Sequence, residues 1–344
     1  MGNLAITYQH VADILSFTAS KSKLEETLKS PNFDWDAIVI EGSKHLVLPA
    51  LFCRLQSKEL LHLLPTELKT YLEEITSINR NRNISIIKQV RSITQLLTKN
   101  KIEHVFLKGS ALLVLGYYED NAERMVGDID ILVAADQISD AFEIIKNNGY
   151  DETFGYAYKT IKYRHLDRLI SKTELAAIEI HSDLLNDNYR HYINSNEVIN
   201  SKQYINSIPI PSAYYLGKHP IYAWQINDNG YYYKTIHFKY YYDSIILKVH
   251  LNQKLLKDLA KDKYGKSYLQ LLQFYFEEIK TYKLSNSNES YEKLHLNYLD
   301  NKLYKRILMP IKKGYHYIFT RFKLLMNNKY YRNHLFKKIF ISKI

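Results

Sequence analysis

Apolar residues recur at helical spacing through most of the first hundred residues. Leu24 and Leu28 are four positions apart, which is the spacing that places side chains on one face of an α-helix. A longer periodic pattern starts after Pro65 and runs to Asn100. Proline is common where helices begin, and a polar residue such as asparagine commonly ends them. We therefore predict a helical region over residues 1–100 that ends in one long helix.

Short apolar runs replace the helical pattern between residues 101 and 190. Runs bounded by glycine or polar residues are typical of buried strands, whereas longer periodic stretches favour helices. The pattern predicts, in order, a strand at 105–107, a helix at 110–117, a strand at 129–133, a helix at 138–146 and strands around 158–170 and 176–184. This order predicts a small mixed α/β unit over residues 101–190.

Helical patterns return after residue 190 and continue almost to the end of the chain. Prolines punctuate the first part, and a polar stretch at 285–288 predicts a loop. Residues 233–250 and 268–282 have the apolar spacing of helices. We therefore predict a helical region over 191–300, followed by a basic amphipathic tail over 301–344.

The composition indicates a cell compartment for the protein and excludes some kinds of disulfide and metal site. Cys53 is the only cysteine, which excludes an intramolecular disulfide framework and a cysteine-based zinc site. The N-terminus lacks the pattern of a signal peptide, and no apolar run reaches the roughly 20 residues that span a bilayer. We expect a cytoplasmic protein, with a peripheral membrane association left open by the tail.

The first motif that suggests chemistry is a short turn between a predicted strand and a predicted helix. It comprises Lys108, Gly109 and Ser110. Glycine lets a phosphate approach the backbone closely, and the free N–H groups of a helix N-terminus attract its charge. A plain strand–helix turn with a capping serine has the same residues, so this motif alone leaves both interpretations open.

Acidic residues interrupt two of the predicted strands. Asp128 and Asp130 alternate with isoleucines, so both carboxylates project from the same side of a strand. Close carboxylates repel each other unless a cation intervenes, and Mg²⁺ prefers such oxygen ligands. Glu179 lies between isoleucines on the later strand and shares its face with His181. A solvated strand edge is the alternative interpretation of these acids.

Taken together, these motifs resemble the polymerase-β-like nucleotidyltransferase superfamily, whose pattern is a glycine followed by Gly or Ser, an Asp-x-Asp strand and a distal acid. More narrowly, residues 106–113, Arg124 four residues before Asp128, and residues 179–181 are similar to the bacterial uncharacterised nucleotidyltransferase family. The resemblance covers roughly residues 5–250. It implies an α+β fold in which a small mixed-sheet core lies between N-terminal and C-terminal helical regions.

The resemblance also implies a metal-dependent transferase that moves a nucleoside monophosphate from a nucleoside triphosphate, such as ATP, to a hydroxyl or phosphate acceptor. Two metal ions, Mg²⁺ or Mn²⁺, would stabilise the attacking and leaving oxygens. The catalytic and metal-binding residues that it implies are Asp128, Asp130 and Glu179. The nucleotide-binding residues that it implies are Lys108, Gly109, Ser110 and Arg124.

Two of these side chains have a second interpretation. Arg124 is favoured over Lys108 to neutralise the leaving pyrophosphate because its planar fork suits phosphate, yet it could equally form a structural pair with a carboxylate. His181 either orients Glu179 or contacts substrate, and a purely structural histidine is the favoured alternative.

The acceptor is left open by the sequence. A small molecule, a glycan, a protein side chain or an RNA end would each fit, and the last two would suit a toxin or defence system. A protein that keeps the fold and binds a nucleotide or partner without catalysis is the alternative class. The presence of all three acids counts against this alternative.

The positive charge is concentrated at the C-terminus. Residues 301–344 contain 12 Lys and Arg and no acid, whereas residues 1–300 contain 35 basic and 36 acidic residues. A basic amphipathic helix suits an anionic membrane surface or a nucleic acid. A helix docked on the body with a solvated basic face is the third interpretation.

Overall fold

A computed structural model describes residues 4–155, 164–284 and 289–340. The chain begins with five helices, and two of the early ones are capped by side chains that accept from the backbone, Ser20 from Lys23 and Asp34 from Ala37. The prediction of helices over the first hundred residues is confirmed. Their bounds are α1 Leu4–Leu15, α2 Lys21–Leu28, α3 Trp35–Lys44, α4 Leu48–Ser57 and α5 Thr66–Lys99.

A five-stranded sheet forms the centre of the molecule. Its strands are β1 His104–Phe106, β2 Asp128–Val133, β3 Glu152–Phe154, β4 Arg168–Ile170 and β5 Ala177–His181. They lie in the order β1-β2-β5-β4-β3, with β2 and β5 parallel and the other neighbours antiparallel. Helices α6 Lys108–Leu115 and α7 Ile138–Lys146 follow β1 and β2. The predicted small mixed sheet is thus confirmed.

Two details of this unit differ from the prediction. Strand β3 was not predicted, because its three residues are exposed and carry no apolar alternation. The strand expected around 158–170 lies partly outside the described residues, and its end forms β4. Strand β4 nevertheless pairs antiparallel with β5 through Leu169 and Ile178, as expected for a hairpin.

Helix α5 forms hydrogen bonds to the backbone next to two strands of the sheet. It has 34 residues, or about 50 Å of helix. The buried Asn83 donates to the carbonyls of Asn121 and Arg124 at 2.6 and 2.7 Å. Gln89 donates to the carbonyl of Ala176 at 2.6 Å. Helix α5 therefore holds the loop that precedes β2 and the residue that precedes β5.

The rest of the chain is mainly helical, as predicted, with one exception. Residues 203–210 form a hairpin, whose turn residues Asn206 and Ser207 both have positive φ, as a two-residue turn between antiparallel strands requires. The helix predicted over 233–250 is shorter than expected, because the α-helix there spans Phe238–Ile246. The loop predicted at 285–288 lies outside the described residues. The elements are α8 Ser195–Asn200, β6 Gln203–Ile205, β7 Ile208–Ile210, α9 Ala213–Tyr222, α10 Gly230–Tyr233, α11 Phe238–Ile246, α12 Gln253–Leu259, α13 Lys263–Tyr275, α14 Glu289–Asp300, α15 Met309–Asn327 and α16 Lys329–Phe340.

Across the described parts of the chain, no helix combines the length and the apolar character that a membrane span requires.

Candidate active site

Three carboxylates line one face of the two central strands. The parallel pairing of β2 and β5 sets Asp130 directly beside Glu179, and Asp128 lies two residues earlier on the same face of β2. The alternate residues Ile129 and Ile178 are fully buried on the opposite face. Burial of the isoleucines fixes the register, so the same alternation that forms the core also gathers the acids.

Asp130 is the most enclosed of the three acids. Its Oδ1 accepts hydrogen bonds from Lys108 Nζ at 2.5 Å and from His181 Nε2 at 2.7 Å. Burial alone would raise the pKa of Asp130, but the Lys108 charge and the His181 hydrogen bond outweigh it and hold the pKa well below its usual value. Asp130 is therefore ionised, and His181 must donate to it.

His181 is neutral in this arrangement. Burial lowers its pKa to about 4, although Asp130 acts in the opposite direction. Its Nε2 also lies 3.6 Å from Glu179 Oε2. His181 thus contacts the Asp130 carboxylate on β2 and the Glu179 carboxylate on β5. It is therefore part of the candidate site.

Arg168 on β4 bridges the other two acids. Its Nη2 lies 2.9 Å from Asp128 Oδ2 and 2.7 Å from Glu179 Oε1. Burial favours a higher pKa for Glu179, but the hydrogen bond from Arg168 outweighs it and lowers the pKa. Burial and the nearby Asp130 raise the pKa of Asp128, in spite of Lys108 and Arg168.

Arg168 was missed by the sequence analysis, although a signal for it existed. The pairing of Leu169 with Ile178 places Arg168 opposite Glu179 in the same antiparallel ladder. The sequence predicts consecutive strands around 158–170 and 176–184 with the polar residues 171–173 between them. Pairing these strands as a hairpin and extending the register by one residue brings the two side chains opposite each other.

The turn between β1 and α6 brings Lys108 to the acids. Lys108 has a φ of +49°, a backbone conformation that residues other than glycine rarely adopt. A Cβ on Gly109 would lie 2.9 Å from Val126 Cγ2, so the turn has little room for a larger residue. The buried Ser110 hydroxyl donates to the carbonyl of Leu107 at 2.8 Å. The turn is therefore closely packed, and the half-buried Lys108 is the side chain that it directs to the acids.

Arg124 lies in a separate buried network. Its Nε is 2.8 Å from Asp243 Oδ1 on α11, and Tyr118 donates to the same carboxylate at 2.6 Å. Its Nη1 donates to the carbonyl of Met125 at 2.7 Å. These contacts join α11 to the loop that precedes β2. A phosphate-binding role for Arg124 stays a prediction.

A group of three side chains at this face could hold a metal ion. Within the described residues, one donor atom each from Asp130, Glu179 and His181 lies within 4.8 Å of the other two. Two carboxylate oxygens and an imidazole nitrogen form a donor set that suits a divalent cation. Lys108 pairs with Asp130 and Arg168 pairs with Glu179. Positive charge therefore stabilises this acidic face.

Further titratable side chains surround the site on the helical side. Burial and the charge of Arg124 lower the pKa of Lys239 to about 8, although Asp243 and Asp228 oppose this. Burial also lowers the pKa of His219, and Lys108 adds to the effect. Helices α9 and α11 therefore contribute polar groups within electrostatic range of Lys108, which contacts Asp130.

Comparison with known proteins identifies a family. Residues 31–217, just over half of the chain, match the model of a family described as "Uncharacterised nucleotidyltransferase". The matched range contains the Lys108 turn, both aspartates of β2, Arg168 and Glu179. No curated protein matches the chain.

Proposed function

Because the chain belongs to the family of uncharacterised nucleotidyltransferases, we propose that it transfers a nucleoside monophosphate from a nucleoside triphosphate to a hydroxyl or phosphate acceptor. The observation that carries this proposal is the face shared by Asp128, Asp130 and Glu179 on two parallel strands. Three acids on one face are costly unless cations are recruited to them. A triphosphate that arrives with divalent metal brings such cations.

The residues present fit a divalent metal, Mg²⁺ or Mn²⁺. Asp130, Glu179 and His181 would hold it, with Asp128 as the next carboxylate on the same face. Metal bound there supplies charge stabilisation of the attacking and leaving oxygens in an in-line displacement. Lys108 and Arg168 would first turn from the carboxylates that they now contact.

The transfer step conserves atoms and charge as follows. The acceptor oxygen attacks the α-phosphorus, and the bond between that phosphorus and the α–β bridging oxygen breaks. Pyrophosphate leaves with the electron pair of the broken bond. When the acceptor is a hydroxyl, its proton passes to a Glu179 carboxylate oxygen, which faces the same side of the sheet as the aspartates.

The turn after β1 would bind the phosphates. Gly109 and Ser110 would place the N–H groups of α6 against the β- and γ-phosphates, and Lys108 would neutralise the leaving pyrophosphate. The side chain of Lys108 is 27% exposed, whereas that of Arg124 is 5% exposed. Arg124 would reach a phosphate only by leaving Asp243, so Lys108 is the better placed of the two cations.

One observation supports a second candidate. All three carboxylates contact a cation within the protein, so Lys108 and Arg168 balance part of the acidic charge without metal. A non-catalytic protein that binds a nucleotide or a partner would be consistent with this arrangement.

The test uses each of the four nucleoside triphosphates labelled at the α-phosphate, with Mg²⁺ or Mn²⁺ and a cell extract as the source of acceptors. We expect label in protein, RNA, glycan or small-molecule products that depends on the added protein, and no such dependence with γ-labelled nucleotide, which reports only the kinases of the extract. A double variant, Asp128→Asn with Asp130→Asn, should reduce labelling by about 100-fold or more, since the charges that recruit metal are removed.

The matched control is Asp136→Asn with Asp140→Asn, because both of these acids are exposed and lie beyond the end of β2. Thermal melts of all variants report whether each one folds. Undiminished labelling by the Asp128/Asp130 variant would refute the site. Binding of nucleotide without any labelled product would support the non-catalytic candidate.

A further inference from the structure

Helix α15 carries a continuous apolar stripe that faces solvent. The stripe follows successive spacings of three, four and one residues, so it occupies about a third of the helix circumference. Its side chains are between 37% and 67% exposed. They are Ile311, Tyr315, Ile318, Phe319, Phe322, Leu325 and Met326.

Another face of the same helix attaches it to the body. Met309 is buried, Lys312 donates to the carbonyl of Tyr232 at 2.8 Å, and the His316 ring lies 5.3 Å from the Tyr232 ring. Helix α16 then folds back, with Asn328 and Tyr331 buried at the corner. The stripe is therefore held outward by contacts on a different side of α15.

Basic residues flank the stripe on both sides. Arg321 lies along one edge and Lys323 along the other, as the helical spacing of 100° per residue requires. All of residues 301–344 lack acids, whereas the remainder of the chain is close to neutral. The excess positive charge of the protein therefore lies in the same segment as this run of exposed apolar side chains.

We propose that α15 docks parallel to the plane of an anionic lipid bilayer. The stripe would enter the boundary between headgroups and acyl chains, and the flanking cations would meet the lipid phosphates. This proposal rests on the charge complementarity and the stripe, and it is independent of the proposed transfer reaction.

Two other occupants fit the surface less well. A nucleic acid would pair with the cations, but Ile311, Ile318 and Leu325 can neither hydrogen-bond to phosphate nor stack on bases. A second copy of the chain would cover the stripe, but it would bring two sets of like charges together. A bilayer that contains anionic lipid matches both properties at once.

The experiment is flotation of the full chain with vesicles of phosphatidylcholine, with and without phosphatidylglycerol. We expect binding to the anionic vesicles that weakens with added salt, and little binding to the neutral ones. A stripe variant, Ile318→Ser with Phe322→Ser, should lose binding by about tenfold or more. A charge variant, Arg321→Gln with Lys323→Gln, removes the cations at the two edges of the stripe and should lose binding by several-fold.

The matched control is Ile78→Ser, because Ile78 is equally exposed on α5, far along the chain from the stripe. Circular dichroism and the thermal melt show whether the tail variants remain folded. The proposal is overturned if the stripe variant binds vesicles as well as the unaltered chain. It is also overturned if the chain binds RNA but not vesicles, or if the stripe serves only to form a dimer in sedimentation.

Discussion

At the scale of single residues, Arg168 supplies positive charge to two of the three acids before any substrate binds. One guanidinium contacts Asp128 and Glu179, which come from two different strands. Its side chain is 40% exposed, so each contact is screened by water and contributes modestly. Arg168 therefore competes with metal for the carboxylates without occupying them permanently.

This competition gives a prediction. In Arg168→Met, the two carboxylates lose their internal cation, so the affinity for Mn²⁺ should rise by about fivefold, equivalent to about 1 kcal/mol. Titration of the variant with Mn²⁺, followed by electron paramagnetic resonance, measures the change. Arg91→Met, on an exposed position of α5, is the control. Unchanged or weaker Mn²⁺ binding in the Arg168 variant would contradict the competition.

The positions of the acids could be predicted from local pattern, whereas their partners could not. Asp128, Asp130 and Glu179 alternate with isoleucines, and a period of two fixes which face they share. Arg168 depends on the pairing of β4 with β5, and Arg124 on the approach of Asp243 from a distant helix. Such contacts follow from register and tertiary packing, which short-range periodicity does not encode.

At the scale of elements, α5 links the N-terminal helices to the sheet. Its apolar period and its start after Pro65 made it predictable along its whole length. Strand β3 and the hairpin of β6 and β7 were not predicted, since β3 is exposed and Asn206-Ser207 lacks the glycine that usually signals such a turn. Length and strong periodicity thus decided which elements the sequence revealed.

The buried amides of α5 give a second prediction. Asn83→Ala would remove the donor to the carbonyl of Asn121 and the closer of two donors to the carbonyl of Arg124. The second donor to the Arg124 carbonyl, Asn79 Nδ2, lies 3.2 Å away. The free energy of unfolding should fall by about 2 kcal/mol, as measured by urea denaturation. Asn81→Ala, at an exposed position on the same helix, should show no such loss, because alanine favours helix there. Equal effects of the two substitutions would rule out the bracing role.

At the scale of the whole molecule, several histidines are buried in neutral form between the helical regions. Burial, together with the nearby Lys44 charge, lowers the pKa of His45 to about 3. Burial lowers the pKa of His295 to about 4, although a hydrogen bond to the Lys234 carbonyl opposes this. His45 lies against Tyr8 of α1 and Phe238 of α11, so its protonation would disturb the junction of these helices.

These shifts predict how stability depends on pH. Below pH 6.5, His45 and His295 bind protons in the unfolded chain but stay neutral in the folded chain. Their contribution to stability is therefore complete above pH 6.5 and is lost as the pH falls toward 4. Each such histidine should contribute a slope of about 1.4 kcal/mol per pH unit. His45→Gln should flatten the curve by that amount in urea denaturation from pH 4 to 7.

The control for this prediction is His62→Gln, because His62 is exposed. An unaltered slope in the His45 variant, together with an unaltered one in the control, would show that His45 takes up its proton while the protein is folded.

The buried pair of Arg124 and Asp243 has a consequence for how this chain can change over generations. Losing either partner alone leaves a buried charge without its ion-pair partner, which lowers the free energy of unfolding by about 3–5 kcal/mol. This is a large part of the stability of an ordinary domain. Replacing both by apolar residues would be far less harmful. Mutation at position 124 is therefore coupled to mutation at position 243, and descendants should inherit the two together or exchange them together.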